Sequence, residues 1–216
     1  MVSALWSALS DGDTKIPATF LTRVRKLAEF GVPLSSKERP GQAGIDIDYT
    51  AEHAFELGAA LMCLDIGLKQ GEVAFLIRHI RSELREVYHQ IMARPPIPGQ
   101  NISATERPEG PTCIVIRNST RELSDTRRSS FSDRSHYMAF RSVEIREAWG
   151  AKQGKRKAPF ILAPKFFSGL ELLTEEMNRL ANYPRDNARI VIELSNFAVL
   201  MTDALNSAPK MRRGRE

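Results

Sequence analysis

A proline-rich segment divides this sequence into two parts of different character. Residues 93–111, ARPPIPGQNISATERPEGP, contain five prolines in a chain of 216 residues. Proline lacks the backbone N–H that a helix interior needs, and it pushes the preceding residue toward extended conformations. We therefore predict a linker at 93–111 between an N-terminal domain at 1–92 and a C-terminal domain at 112–216.

Helical periodicity dominates the part before the linker. Residues 51–66 and 72–92 carry apolar side chains at the three- and four-residue spacing of amphipathic helices. Thr50 stands where an N-cap is needed for the first of these helices, and Gly67 is placed to turn the chain between them. The sequence predicts two helices joined by a tight turn.

The part after the linker mixes two periodicities. Runs of β-branched and aromatic residues predict strands at 112–117, 136–145 and 188–194. A helix is expected after the capping-box pair Ser168 and Glu171, and another should begin at Ser195. The expected fold class is α+β, with a mainly helical N-terminal domain followed by an α+β C-terminal domain.

The charge balance favours a polyanionic partner. Lysine and arginine number 31 against 26 acidic residues, which gives a net charge of +5 and a pI near 9.4. Cys63 and Cys113 lie far apart in apolar runs, which indicates buried free thiols rather than a metal site or a disulfide. No segment approaches a membrane span, and no cofactor motif is present. We expect a cytoplasmic, nucleoid-associated protein without a metal or a cofactor.

The helix predicted from Pro17 to Phe30 has one apolar side and one basic side. Its apolar stripe consists of Phe20, Leu21, Val24, Leu27, Ala28 and Phe30. The opposite side carries Thr19, Thr22, Arg23, Arg25 and Lys26. Residues 3–9 can form a helix before it, and residues 10–17 a turn, so the order is that of a helix-turn-helix motif. Only Glu29 balances these cations, which favours contact with phosphates over a merely solvated surface.

A two-stranded wing is expected after this helix. Gly31 ends the helix, and residues 45–49 alternate apolar and polar side chains as a strand does. Lys37 and Arg39 would lie near the tip of the wing, where a cation can reach backbone phosphate or the minor groove.

Four segments in order resemble the DNA-binding domain of MerR-type regulators. They are RKLAEFGV, the wing, YTAEHAFEL and LDIGLKQGEVAFLI, and the similarity covers roughly residues 3–80. The resemblance implies a winged domain that binds double-stranded DNA as a homodimer. It places Thr19, Thr22, Arg23, Arg25 and Lys26 at the major groove, and Lys37 and Arg39 at the flanking backbone. The tyrosine pair usual in the family's recognition helix is replaced by Lys26 and Leu27.

A second basic surface is possible in the C-terminal domain. Residues 117–157 hold eleven lysines and arginines against five acidic residues, and residues 118–135 are expected to form a mobile loop. One interpretation is a further contact with nucleic acid backbone, and the other is a pair of solvated loops. The candidate residues are Arg127, Arg128, Lys155, Arg156 and Lys157.

An enzyme is the least favoured class. Ser135, His136 and Asp133 supply the residue types of a catalytic triad, but three neighbours in a low-complexity loop would not be held rigidly. The prediction is a sequence-specific DNA-binding transcription regulator that is not an enzyme. Its C-terminal domain would dimerise or sense a small ligand or protein partner, and the helix at 72–92 could add dimer contacts. The alternative is an architectural or adaptor DNA-binding protein with little sequence specificity.

Overall fold

A computed structural model of the protein contains seven helices and three strands within the described residues. Those residues are 1–10, 15–34, 38, 49–95, 136–141, 145, 164–181 and 190–208.

The first two helices are in contact through a pair of aromatic side chains. Helix α1 spans Val2–Leu9 and helix α2 spans Ala18–Glu29. The ring centroids of Trp6 and Phe20 lie 5.0 Å apart in an edge-to-face arrangement, which is a favourable geometry for aromatic pairs. Gly31 takes a φ of 84° after α2, a left-handed conformation that glycine adopts without strain. Both the helix and its end at Gly31 are confirmed.

Helix α3, Ala51–Asp65, begins at the predicted cap. The backbone N–H of His53 donates to the Thr50 hydroxyl over 3.3 Å. The backbone N–H of Thr50 donates in turn to Nδ1 of His53 over 3.2 Å. This reciprocal pair is a capping box in which histidine takes the place usually held by Glu or Gln. Gly67, with a φ of 91°, then turns the chain as expected.

The single helix predicted at 72–92 is wrong, because the chain forms two helices there. Helix α4 spans Gln70–His79 and helix α5 spans Arg81–Ala93. Ile80 separates them with a φ of −101° and a ψ of 17°, outside the helical range. Ile80 is itself buried, so the bend directs its side chain into the core while α5 takes a new direction.

Three short strands form an antiparallel sheet in the order β2-β1-β3. Strand β1 spans His136–Phe140, β2 spans Lys165–Ser168 and β3 spans Ile190–Glu193. Met138 lies opposite Phe166 on one side and opposite Ile192 on the other. Strands near 136–145 and 188–194 are therefore confirmed, although both are shorter than predicted. The strand β2 was not predicted, and the predicted strand at 112–117 lies outside the described residues.

The last two helices follow β2 and β3. Helix α6, Leu170–Ala181, begins after Gly169, so the expected cap at Ser168 is wrong and Ser168 ends β2 instead. Helix α7, Ser195–Ser207, begins at the predicted residue. The carboxylate of Glu193 accepts hydrogen bonds from the backbone N–H groups of Ser195 and Asn196, and these satisfy donors that a helix start leaves open.

Helix α7 packs against the N-terminal helices. Phe197 stacks on Phe55 with a centroid distance of 5.9 Å, and the hydroxyls of Tyr88 and Thr202 lie 3.1 Å apart. One hydrophobic core includes residues of α1, α3, α5, β1 and α7. The described parts of the two predicted domains thus share a core. The linker at 93–111 falls almost wholly outside the described residues, so the division into domains stays a prediction.

Candidate nucleic-acid interface

Helix α2 is anchored on one side and open on the other. Phe20 and Leu27 are buried in the core, and Val24 packs against it. The five polar side chains named from the sequence are all exposed: Thr19, Thr22, Arg23, Arg25 and Lys26. Phe30 departs from the predicted apolar stripe, since 41% of its surface is exposed. The core therefore fixes which side of α2 faces outward.

The start of α2 is suited to an anion. Pro17 is the N-cap and provides no side-chain hydrogen bond, and the first turn contains no acidic residue. A helix start of this kind presents backbone N–H groups and the positive end of the helix dipole. Thr19 lies in that turn. Thr22 donates its hydroxyl to the carbonyl of Ala18 over 2.9 Å, so it must break this bond before it can donate to a phosphate.

The three cations of α2 differ in their partners. Nη1 of Arg23 lies 2.7 Å from Oδ1 of Asp65 at the end of α3, and Nζ of Lys26 lies 2.8 Å from Oε2 of Glu29. No ion pair of Arg25 is found within the described part of the chain. Exposed ion pairs contribute at most about 1 kcal/mol, so Arg23 and Lys26 can exchange their carboxylates for phosphates.

The other candidate contacts lie outside the described residues. These are Lys37 and Arg39 of the wing, and Arg127, Arg128, Lys155, Arg156 and Lys157 of the second basic surface. Of the segment expected to form the wing, residues 31–34, 38 and 49 are described.

An arginine at the start of α5 contacts Gly31, which lies two residues after the end of α2. Nη2 of Arg81 donates to the carbonyl oxygen of Gly31 over 2.9 Å. Nη1 donates to Oε2 of Glu38 over 3.3 Å, and Nε lies 2.8 Å from Oε2 of Glu56 in α3. Only 17% of the Arg81 side chain is exposed. One guanidinium therefore joins the end of α2, the segment after it and the middle of α3.

The carboxylate of Glu56 is the centre of this group. Its side chain is 0% exposed, and Nε of Arg85 donates to its Oε1 over 2.5 Å. The contact between Arg81 Nε and Oε2 is a close approach of opposite charges without the alignment of a hydrogen bond. Burial raises the pKa of the Glu56 carboxyl, and the hydrogen bond and charge of Arg85 and the charge of Arg81 oppose that shift.

Two histidines flank the same charges. Nε2 of His89 lies 3.0 Å from Oε1 of Glu52, and His53 caps α3 through Nδ1. Burial lowers the pKa of His53, and the positive charge of Arg85 adds to this effect. A nitrogen that accepts a hydrogen bond carries no proton, so the cap and the burial both favour neutral His53.

His136 pairs with a serine distant in sequence. The backbone N–H of His136 donates to Oγ of Ser195 over 2.7 Å, and its ring Nδ1 lies 3.4 Å from the same oxygen. Ser195 is 0% exposed, so its hydroxyl cannot meet a substrate unless the core opens. This pair links β1 to α7. Ser135 and Asp133, which were considered with His136, lie outside the described residues.

Sequence reasoning missed the group around Glu56. A single carboxylate within the apolar run AFELGAALMC was a usable signal, because an unpaired charge there would be strongly unfavourable. Cys63 is a buried free thiol as expected, and burial raises its pKa to about 12. In the part of the chain that the structure describes, no three His, Cys, Asp or Glu side chains are grouped to hold a metal ion.

No known protein family, characterised protein or solved structure matches this chain. Among the described residues, no helix has the length and apolar character needed to cross a membrane.

Proposed function

We propose that this protein is a sequence-specific DNA-binding transcription regulator that inserts α2 into the major groove. The observation that carries the proposal is the division of α2 into a buried apolar side and an exposed side with Arg23, Arg25 and Lys26. A recognition helix needs both, because core contacts fix its orientation while its outer side chains contact phosphates and bases.

Arg25 is proposed as the residue that contacts bases. A guanidinium can donate to both O6 and N7 of guanine, and within the described residues no carboxylate pairs with Arg25. Arg23 must first leave Asp65. Arg23, Lys26 and the first turn with Thr19 are assigned to phosphates, where contact needs charge or an N–H donor but no base recognition.

The winged arrangement of MerR-type regulators remains part of the proposal, with Lys37 and Arg39 at the flanking backbone. A homodimer also remains proposed, but its contact is not the apolar stripe of α5. Leu84, Val87, Tyr88 and Ile91 of that stripe are buried within the chain's own core. The dimer contact must therefore use another surface.

Binding of labelled duplexes by the variants Arg25→Ala and Arg23→Ala tests the proposal. With single base substitutions across a bound site, Arg25→Ala should remove discrimination at one position, a loss of roughly 1–3 kcal/mol. Arg23→Ala should weaken binding to all the duplexes alike and reduce the salt dependence. Arg78→Ala removes an exposed cation from α4 and is the matched control.

Two outcomes would reject this assignment. If the wild type binds every duplex equally, the protein is an architectural binder with little specificity. If neither arginine variant differs from Arg78→Ala, α2 is a solvated surface and does not contact DNA.

A further inference from the structure

We infer that Arg81 is a positioning residue that fixes the end of α2 on α3 and α5, and so sets the orientation of the proposed DNA-contacting side. This inference rests on the proposed function for its effect on DNA binding, whereas the contact itself is independent of DNA.

The hydrogen bond from Arg81 to Gly31 lies where it can restrict the orientation of α2. The carbonyl of Gly31 follows the last helical turn, and the backbone N–H of Gly31 already donates to Ala28 over 2.9 Å. Nη2 of Arg81 donates to that carbonyl over 2.9 Å. A rotation of α2 about its own axis would move the Gly31 carbonyl and break this bond, so Arg81 opposes such a rotation.

The other partner of Arg81 is a buried and paired carboxylate. Glu56 lies within α3 with no exposed surface, and Arg85 holds its second oxygen. Arg81 and Arg85 are one helical turn apart on α5, and both contact Glu56. The Arg81 guanidinium thus contacts a buried carboxylate while it donates to Gly31, just after the end of α2.

Only arginine has the shape for this arrangement. Its planar guanidinium directs N–H groups toward several partners at fixed angles. Lysine would keep the charge near Glu56 but has a single nitrogen, which cannot contact Gly31, Glu38 and Glu56 with the same geometry. Arg81→Lys therefore separates the effect of position from the effect of charge.

The experiment compares the full-length wild type with Arg81→Lys, Arg81→Gln and the control Arg78→Gln, all well below their thermal unfolding midpoints. Hydrogen exchange of the amides at 28–34 reports on the end of α2, and that of α7 reports on the rest of the core. DNA affinity is measured with the same samples. We expect the amides at 28–34 of Arg81→Lys to exchange faster than those of the wild type, with no change in α7. We also expect its DNA affinity to be about tenfold weaker, which is the size of effect that loss of one base contact produces.

The outcomes separate the two proposals. Unchanged exchange at 28–34 overturns the inference, and so does an equal rise in α7, which would indicate a general loss of stability. Faster local exchange with undiminished DNA affinity also overturns it. If the wild type binds no duplex DNA, the proposed function fails, while a local rise in exchange would still show that Arg81 holds α2.

Discussion

Nε of Arg81 lies 2.8 Å from Oε2 of Glu56, a carboxylate buried in the middle of α3. Arg85 contacts the other oxygen of the same group. Two cations from α5 and one anion from α3 therefore lie together behind the end of α2. A carboxylate this deeply buried is tolerated only because it is paired.

Glu56→Gln should destabilise the fold by roughly 2–3 kcal/mol, because it removes the buried charge that both guanidiniums contact and leaves them only the more exposed carboxylates of Glu38 and Glu52. Urea unfolding followed by circular dichroism measures this loss. Glu175→Gln on the exposed side of α6 is the control and should change stability by less than about 0.5 kcal/mol. Equal unfolding midpoints for the two variants would show that the charge of Glu56 does not contribute to the stability of the fold.

Stability should fall as the pH decreases below 6.5, the ordinary pKa of histidine, because of His53. The pKa of His53 is lower in the folded protein than in the unfolded chain. As the pH falls, the unfolded chain therefore binds the proton first, and this binding stabilises the unfolded state relative to the folded one. The loss ends once the pH has passed the lower pKa of the folded state. Unfolding midpoints at several pH values from about 7.5 to about 5, on both sides of the ordinary histidine pKa, measure the effect.

His53→Gln is the matched variant for this pH dependence. Glutamine can accept the same hydrogen bond from the Thr50 backbone and preserve the capping box, but it does not titrate. The variant should lose less stability than the wild type over the same interval. Parallel curves for the two proteins would assign the pH dependence to other groups.

Gly58→Ala should destabilise the protein although alanine favours helices by about 1 kcal/mol. A Cβ built at Gly58 would overlap the ring of Phe197, and that ring is stacked on Phe55. Overpacking of this kind costs about 1–3 kcal/mol, so the overlap should outweigh the gain in helix propensity. In a Phe197→Leu background the same substitution should cost less, and a double-mutant cycle measures the difference.

Asp65→Asn should raise DNA affinity about two- to fivefold at low salt, since it frees Arg23 from an ion pair worth up to about 1 kcal/mol. The gain should shrink as salt is added, because screening weakens exposed charges. Glu29→Gln, which frees Lys26, should act in the same direction. A decrease in affinity for Asp65→Asn would instead mean that Asp65 holds Arg23 in its binding position.

Local signals in the sequence predicted the helices better than the contacts between them. The cap at Thr50 and the turns at Gly31 and Gly67 depend on neighbouring residues, and each was predicted correctly. The break at Ile80 was missed because no proline or glycine marks it, and packing of the side chain decides it. The short strand β2 has no strong alternation of its own and depends on pairing with β1.

Contacts between residues that are distant in sequence could not be predicted from sequence patterns alone. Arg81 and Arg85 resemble ordinary surface cations of an amphipathic helix, and nothing near them in sequence indicates Glu56. His136 was considered with Ser135, its neighbour in sequence, whereas the fold places it against Ser195. The exposed side of α2 was predicted residue by residue, because helical periodicity alone determines which side chains share a side.

Selection of binding sites from genomic fragments at physiological salt tests the central proposal most directly. Wild type and an Arg23→Ala/Arg25→Ala double variant are compared under the same conditions. The proposed function predicts that the wild type enriches one near-palindromic motif and that the double variant loses this enrichment. Recovery of fragments without a motif, equal for both proteins, would contradict the assignment of α2 to sequence-specific DNA binding.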